Sequence, residues 1–288
     1  WLVSDAGIAA VAADGSPAGR LDLLRDSHGR IARISGTVTG EAESAGTVYL
    51  YDPAGNLRLV REIGSAGSGM AYTHDATGEL LSSAPTVDLG TPGTWNGLTG
   101  TWQGDIGNGA TLTFTIRDSE IASVTHPPGG SGSLLIAVES TTADAGATID
   151  FVGGEVLGSH EYGGTRTALL QISHGGPKLL RLSGSGAASV RLRVAGDFDR
   201  DGRVDAADAM AWETAQRDGH GAGDVDGDGN SNAVDRQIVF ANSGFSANRA
   251  PAIAGQPPLR THTGLSTTIA LQGIARDAEG DALFWHVV

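Results

Sequence analysis

The chain has 288 residues, which allows two or three domains, and it has no cysteine, which excludes disulfide frameworks, cysteine zinc sites and cysteine nucleophiles. Its net charge of −14 argues against nucleic acid and anionic lipid as main partners. The sequence contains no run of 18 apolar residues, so it predicts no membrane-spanning helix. Residues 197–240 contain 11 acidic residues and four arginines, so half of the net charge lies in this one block. Such a block is either disordered or built around cations.

The first 195 residues have the pattern of an all-β protein. Short alternations of apolar and polar residues, such as 47–51, 111–116 and 190–194, lie between turns rich in Gly, Asn, Asp and Ser. We predict a β-hairpin region at 1–83 and a β-sandwich-like module at 84–195. Trp95 and Trp102 have two interpretations, as core residues or as a platform that stacks on sugar rings.

A short motif recurs three times within the hairpin region. Aspartate, two residues, glycine, one residue and then Leu or Ile occur at 26–31, 52–57 and 75–80. Each Asp-x-x-Gly predicts a turn, and the near-regular spacing indicates stacked β units. Residues 26–80 resemble the YD repeats of RHS-type bacterial surface proteins, most closely at 51–57. Ordinary hairpin turns in a glycine-rich β domain are the alternative.

The acidic block contains two 12-residue loops of one design, at 197–208 and 224–235. Oxygen-bearing side chains occupy positions one, three, five, nine and twelve, glycine occupies position six, and position seven offers its backbone carbonyl. This arrangement surrounds calcium with hard oxygen ligands, so we predict two calcium ions. The alternative is a solvated acidic linker. The predicted ligands are Asp197, Asp199, Asp201, Arg203, Asp205, Asp208, Asp224, Asp226, Asp228, Asn230, Asn232 and Asp235.

Helix-forming residues follow each loop, at 206–217 and 233–242, and no helical pattern precedes either loop. Residues 197–243 resemble the dockerin type I domain, including Asp at position twelve. The resemblance implies a small duplicated EF-hand-like calcium module, placed at 196–245, that docks onto a cohesin module of another protein. In that family loop positions ten and eleven make the contact. The predicted contact residues are Ala206, Ala207, Ala233 and Val234.

The two loops differ at two positions. Val204 occupies position eight of the first loop, where a hydrophobic residue couples the paired loops in dockerins, but Ser231 occupies it in the second. Position nine is Asp205 in the first loop and the neutral Asn232 in the second. The second loop thus has four carboxylates against five, and we expect it to bind calcium more weakly.

The last part of the chain begins with a proline-bearing linker at 246–258. Residues 248–251 and 275–283 resemble the start of bacterial cadherin-like or immunoglobulin-like repeats, which places an incomplete β-sandwich domain at 259–288. Asp277, Glu279 and Asp281 form either a further calcium site or a solvated turn. Two predicted strands, 267–271 and 282–288, cannot bury their own apolar face, so we expect a segment of a longer protein.

No catalytic motif stands out: a serine nucleophile elbow, a His-Glu-x-x-His zinc motif, a P-loop and a dinucleotide fingerprint are absent from the sequence, and whether the protein is an enzyme stays open. The predicted fold is mainly β and multidomain, with hairpin and sandwich modules, the calcium module and a truncated β-sandwich. The resemblances imply an extracellular bacterial protein, secreted or on the cell surface, that attaches through calcium-dependent docking.

Two other functions stay open. Residues 1–195 are alternatively an accessory or carbohydrate-binding part of a glycoside hydrolase, since dockerins often accompany enzymes of polysaccharide catabolism. The loops alternatively serve only to stiffen the junction between β modules.

Overall fold

The computed structural model describes residues 2–4, 7–11, 17–38, 45–63, 69–95, 100–107, 109–125, 132–144, 146–218, 223–248, 252–253 and 275–276. The chain is mainly β with several antiparallel sheets, as the sequence predicts. The predicted strands at 267–271 and 282–288 and the acidic turn with Asp277, Glu279 and Asp281 lie outside the described residues.

The strands are β1 (Leu2–Ser4), β2 (Gly7–Val11), β3 (Pro17–Arg25), β4 (Ile31–Val38), β5 (Ala45–Tyr51), β6 (Leu57–Ile63), β7 (Gly69–His74), β8 (Leu80–Pro85), β9 (Val87–Asp88), β10 (Thr101–Asp105), β11 (Ala110–Ile116), β12 (Leu134–Thr142), β13 (Thr148–Val152), β14 (Glu155–Tyr162), β15 (Thr165–Ile172), β16 (Gly176–Ser183), β17 (Ala187–Val194), β18 (Ala252–Ile253) and β19 (Ala275–Arg276). The helices are α1 (Asp118–Ser123), α2 (Ala206–Arg217) and α3 (Ala233–Ala241), with a 3-10 turn at Pro92–Thr94. None of the helices in the described part of the chain has the length and apolar composition that crossing a bilayer would require.

Sheet I consists of β1 to β8 in chain order, each strand antiparallel to the next. The three predicted Asp-x-x-Gly turns connect its hairpins. In each turn the aspartate carboxylate accepts the backbone N–H four positions later at 2.9 Å, and the glycine has a positive φ. The first two turns also contact each other, because the Arg30 guanidinium lies 4.6 Å from the centre of the Tyr51 ring and donates to the Asp52 carbonyl at 3.5 Å. Local turn chemistry therefore sets the register of this sheet.

Two further sheets form a sandwich. Sheet II has the order β13-β16-β11-β9 and sheet III the order β10-β17-β12-β15-β14. Except for the β14–β15 hairpin, neighbouring strands come from distant parts of the sequence, as in Greek-key and jelly-roll sandwiches. Alternate residues of the strands, such as Leu112, Phe114 and Ile116 of β11, are fully buried between the sheets. This period of two places one apolar face of each sheet in a common core.

Trp95 and Trp102 belong to the core of the sandwich. Trp95 packs edge-on against Phe114, with ring centroids 5.8 Å apart, and donates its indole N–H to the Leu89 carbonyl at 2.9 Å. Trp102 is partly buried against the same core. The core interpretation of these side chains therefore fits their contacts.

Sheet I lies on the outer face of sheet II. Leu59 and Ala71 of sheet I are buried together with Val152 and Leu179 of sheet II. An ion pair at the rim joins the Arg58 guanidinium to the Asp150 carboxylate at 2.7 Å. The hairpin region is thus attached to the sandwich by an apolar contact with charged edges.

Residues 196–218 and 223–248, which we call the acidic segment, lie against sheet III, on the opposite side of the sandwich. Val225, Val239 and Phe245 are buried in the same continuous core as the sandwich residues. The packing continues into the predicted linker, since Ala247 is fully buried and donates its N–H to the Gly202 carbonyl at 2.8 Å. The molecule therefore has four layers: sheet I, sheet II, sheet III and the acidic segment.

Candidate metal centre

The first acidic loop connects the end of β17 to the start of α2. The N–H of Asp197 donates to the Val194 carbonyl at 3.2 Å, which turns the chain away from the strand. Asp205 is the N-cap of α2 and accepts the N–H of Ala207 at 2.7 Å. Asp208 accepts the N–H of Asp205 at 2.9 Å and completes a capping box. Loop positions nine and twelve therefore also begin the helix.

The second loop repeats this construction before α3. Asn232 is the N-cap and accepts the N–H of Val234 at 2.7 Å. Asp235 accepts the N–H of Asn232 at 2.8 Å. The predicted helix after each loop is present, and α2 spans the predicted residues while α3 ends at Ala241, one residue early. The loop–helix unit is therefore duplicated in structure as well as in sequence.

Three carboxylates converge in each loop, those of positions one, three and twelve. One oxygen from each member lies within 4.8 Å of the others. The first group is Asp197, Asp199 and Asp208, and the second is Asp224, Asp226 and Asp235. The carboxylate of position twelve is held in place because it also accepts the N–H of position two, from Phe198 at 2.8 Å and from Val225 at 2.6 Å.

Other predicted ligands do not belong to these groups. The carboxylate of Asp201 accepts the N–H of Arg203 at 2.8 Å, and that of Asp228 accepts the N–H of Asn230 at 2.7 Å. The side chains at position nine cap the helices. Arg203 also forms an isolated antiparallel bridge with Ser246.

The first group carries electrostatic strain. Burial, followed by the charge of Asp208, raises the pKa of Asp197 to about 7. Burial also raises the pKa of Asp208. The Oδ1 atom of Asp197 is buried and accepts no hydrogen bond. A buried acceptor without a donor is costly, and a cation beside it would remove that cost. The residues present therefore fit a hard divalent cation.

The second group has weaker strain of the same sign. Burial raises the pKa of Asp226, and the nearby charge of Asp235 adds to this effect. Asp224 accepts the N–H of Gly229 at 2.8 Å and that of Gly227 at 2.7 Å. These bonds wind the chain around the carboxylates.

The glycine at position six adopts the left-handed backbone that the sequence predicts, with φ of 82° at Gly202 and 88° at Gly229. Position four is also left-handed in both loops, at Arg200 with φ 62° and at Gly227 with φ 80°. This left-handed conformation costs free energy for a residue that has a Cβ. The presence of glycine at position four of the second loop alone is a signal that sequence reasoning missed.

The predicted contact residues are exposed at the starts of the two helices: Ala206, Ala207, Ala233 and Val234. A shallow groove between α2 and α3 is lined by Trp212, Glu213, Gln216, Arg217, Ala233 and Arg236. The backbone hydrogen bonds of Val204 in the described part of the chain are made to the segment after α3 and not to the second loop. The N–H of Val204 donates to the Phe245 carbonyl at 3.1 Å, and the Val204 carbonyl accepts the N–H of Gly244 at 2.9 Å.

No protein-family model matches the chain, and no curated protein is significantly similar to it.

Proposed function

We propose that the two acidic loops bind two calcium ions and thereby hold α2 and α3 as an attachment surface for another extracellular protein. The convergence of three carboxylates in each loop carries the calcium part of this proposal. The orphaned Oδ1 of Asp197 supports it further, since a cation would supply the missing partner. When bound, calcium supplies positive charge and accepts six to eight oxygen ligands.

The chain's own residues arrange these ligands before an ion arrives. Asp208 and Asp235 are anchored by backbone N–H groups, so the last ligand of each loop is already positioned. The carboxylates at position five each accept a backbone N–H of their own loop, and their charges act on Asp197 and Asp226 of the groups. We propose that a small rotation brings Asp201 and Asp228 into the ligand set.

The attachment part of the proposal rests on the dockerin resemblance and on the exposed ends of the helices. Ala206, Ala207, Ala233 and Val234 offer small apolar contacts for the sheet of a cohesin-like module. Met210 of α2 is 68% exposed, while Trp212 is buried. Its exposure adds apolar area to the same outward surface. A carbohydrate-binding role has less support, because Trp95 and Trp102 pack into the core.

The calcium proposal is tested by calorimetric titration of the full chain. Two binding events are expected. Asp197→Asn should weaken one event and Asp224→Asn the other, because each removes a carboxylate from one group only. Asp105→Asn, which changes an exposed acid on β10, is the matched control. Absence of binding at millimolar calcium would refute the proposal.

The attachment proposal is tested by surface binding of the calcium-loaded chain to a set of purified cohesin modules. Ala207→Glu and Val234→Glu should abolish binding by placing charge in the apolar contact, and chelation should release the partner. Gln237→Glu, which adds the same charge on another exposed position of α3, is the control. Normal calcium titration without binding to any cohesin would refute attachment and leave the calcium site standing.

A further inference from the structure

We infer that calcium binding stabilises the central sandwich, because the second loop and α3 form an outer layer of sheet III. This inference rests on the proposed calcium function. It concerns a different property, namely the energetic coupling between the loops and a β-sandwich to which the dockerin resemblance assigns no role. Three sets of contacts carry it.

The first contact set joins the end of α3 to the backbone of the sandwich. The side-chain amide of Asn242 accepts the N–H of Leu135 at 2.8 Å and donates to the carbonyl of Leu135 at 2.7 Å. The same amide nitrogen donates to the Ala195 carbonyl at 2.7 Å. Asn242 is fully buried, so these bonds are shielded from water. The end of the second loop–helix unit is therefore fixed to β12 and to the end of β17.

The second contact set places the second loop directly on β14 and β15. A Cβ at Gly227 would clash with Cβ of Thr167, and a Cβ at Gly229 would lie 2.5 Å from Cδ2 of Tyr162. The glycines therefore permit a close approach of the loop backbone to the sheet. On β17 the Arg193 guanidinium donates to the Val225 carbonyl at 3.3 Å. The loop that winds around the second carboxylate group thus touches three strands of sheet III.

The third contact set joins the residues that follow α3 to α1 of the sandwich. The N–H of Asn248 donates to the buried carboxylate of Glu120 at 3.2 Å, and the N–H of Ser246 donates to the Ser123 hydroxyl at 2.9 Å. Both acceptors belong to α1 of the sandwich. The acidic segment is therefore held at both ends and in the middle.

Thermodynamic linkage then determines the consequence. An ion that binds the wound loop but not the unfolded chain stabilises every part of the structure that unfolds with the loop. Because the loop, α3 and sheet III share one core, we expect the sandwich strands to unfold together with the loop. The sandwich should therefore gain stability although the ion lies outside it.

The test is hydrogen exchange of the full chain with calcium and with chelator. At calcium 100 times above the dissociation constant, amides of β12 and β15 should exchange about 100-fold more slowly for each coupled ion. Slowing confined to 197–244, with unchanged rates in β12 and β15, would overturn the inference and leave the calcium function intact. Absence of calcium binding in the calorimeter would overturn both.

A variant outside the calcium ligands tests the proposed route. Tyr162 is 63% exposed, so Tyr162→Ala should leave the sandwich folded while removing the contact with Gly229. We expect the calcium-induced slowing in β14 and β15 to fall several-fold, with two binding events retained. Leu157→Ala, an exposed truncation on the same strand, should respond as the wild type. Equal slowing in both variants would exclude this contact as the route.

Discussion

Lys178 lies directly opposite Phe114 in the register of β11 and β16, and both side chains are buried between the sheets of the sandwich. Lys178 is the only lysine in the sequence and is 1% exposed. Its ammonium group donates to the carbonyls of His174 at 2.8 Å and Gly175 at 3.3 Å. Burial lowers the pKa of Lys178 to about 8, against a smaller opposing effect of Asp118.

This lowered pKa predicts a pH dependence of stability. Between pH 8 and 10.5 the unfolded chain holds a proton on Lys178 that the folded chain has released. The free energy of unfolding should therefore rise with pH across this window, by on the order of 3 kcal/mol, and the full penalty should persist below pH 8. Urea unfolding at a series of pH values measures the slope.

Lys178→Met provides the reference for that experiment, because it keeps every other titrating group and a similar side-chain volume. The difference between wild type and variant isolates the lysine. Parallel stability curves of the two proteins from pH 7.5 to 10.5 would contradict the prediction.

Asn242 gives a prediction about the attachment of α3. Asn242→Ala removes the side-chain partner of the Leu135 N–H and of the Ala195 carbonyl, while the Leu135 carbonyl still accepts the N–H of Ala195 at 3.0 Å. Each buried group left unpaired costs about 1–3 kcal/mol, so we expect a loss of about 3 kcal/mol or more in unfolding free energy. Asn230→Ala, which truncates an exposed amide in the second loop, should change stability by less than about 0.5 kcal/mol. A loss of under 1 kcal/mol for Asn242→Ala would show that water replaces the amide.

Local features of the chain were predictable from the sequence. The Asp-x-x-Gly turns and the helices after the acidic loops depend on residues within a few positions of each other. Their hydrogen bonds join residues that are close in sequence, as in the bond from the N–H of Arg30 to the carboxylate of Asp26. The convergence of positions one, three and twelve is local for the same reason.

The long-range features were not predictable. The placement of Lys178 in the core follows from strand pairings between distant segments, and a lysine in a β pattern gives no sign of it. In α2 the core contains Trp212 while Met210 is exposed, and the local sequence does not distinguish which of these apolar residues faces the sandwich. One feature of the sequence reflects the contact of the second loop with sheet III. Position four of the second loop is the glycine Gly227, whereas position four of the first loop is Arg200.

Leu59 gives a prediction about the attachment of sheet I to sheet II. It is fully buried between the two sheets beside Leu179 and Val152. Leu59→Ala should lower the unfolding free energy by about 2–5 kcal/mol, since it removes apolar contact and leaves a cavity. Leu24→Ala, on the same sheet but 60% exposed, should have little effect. Denaturant unfolding compares them, and equal stabilities would contradict the buried contact between the sheets.

Position nine of the loops gives a prediction about the relative affinity of the two calcium sites. The first loop has Asp205 and the second Asn232, and each side chain caps its helix through the N–H two residues later at 2.7 Å. Asn and Asp cap helices about equally well, so exchanging them changes the charge of the loop while keeping its structure. Asn232→Asp should tighten the weaker calcium event, and Asp205→Asn should weaken the tighter one, each by on the order of tenfold. Calorimetry measures both, with Gln237→Glu as a control for added charge outside the ligand positions. If Asn232→Asp and Gln237→Glu change the affinity equally, the side chain at position nine acts only through net charge and is not part of the ligand set.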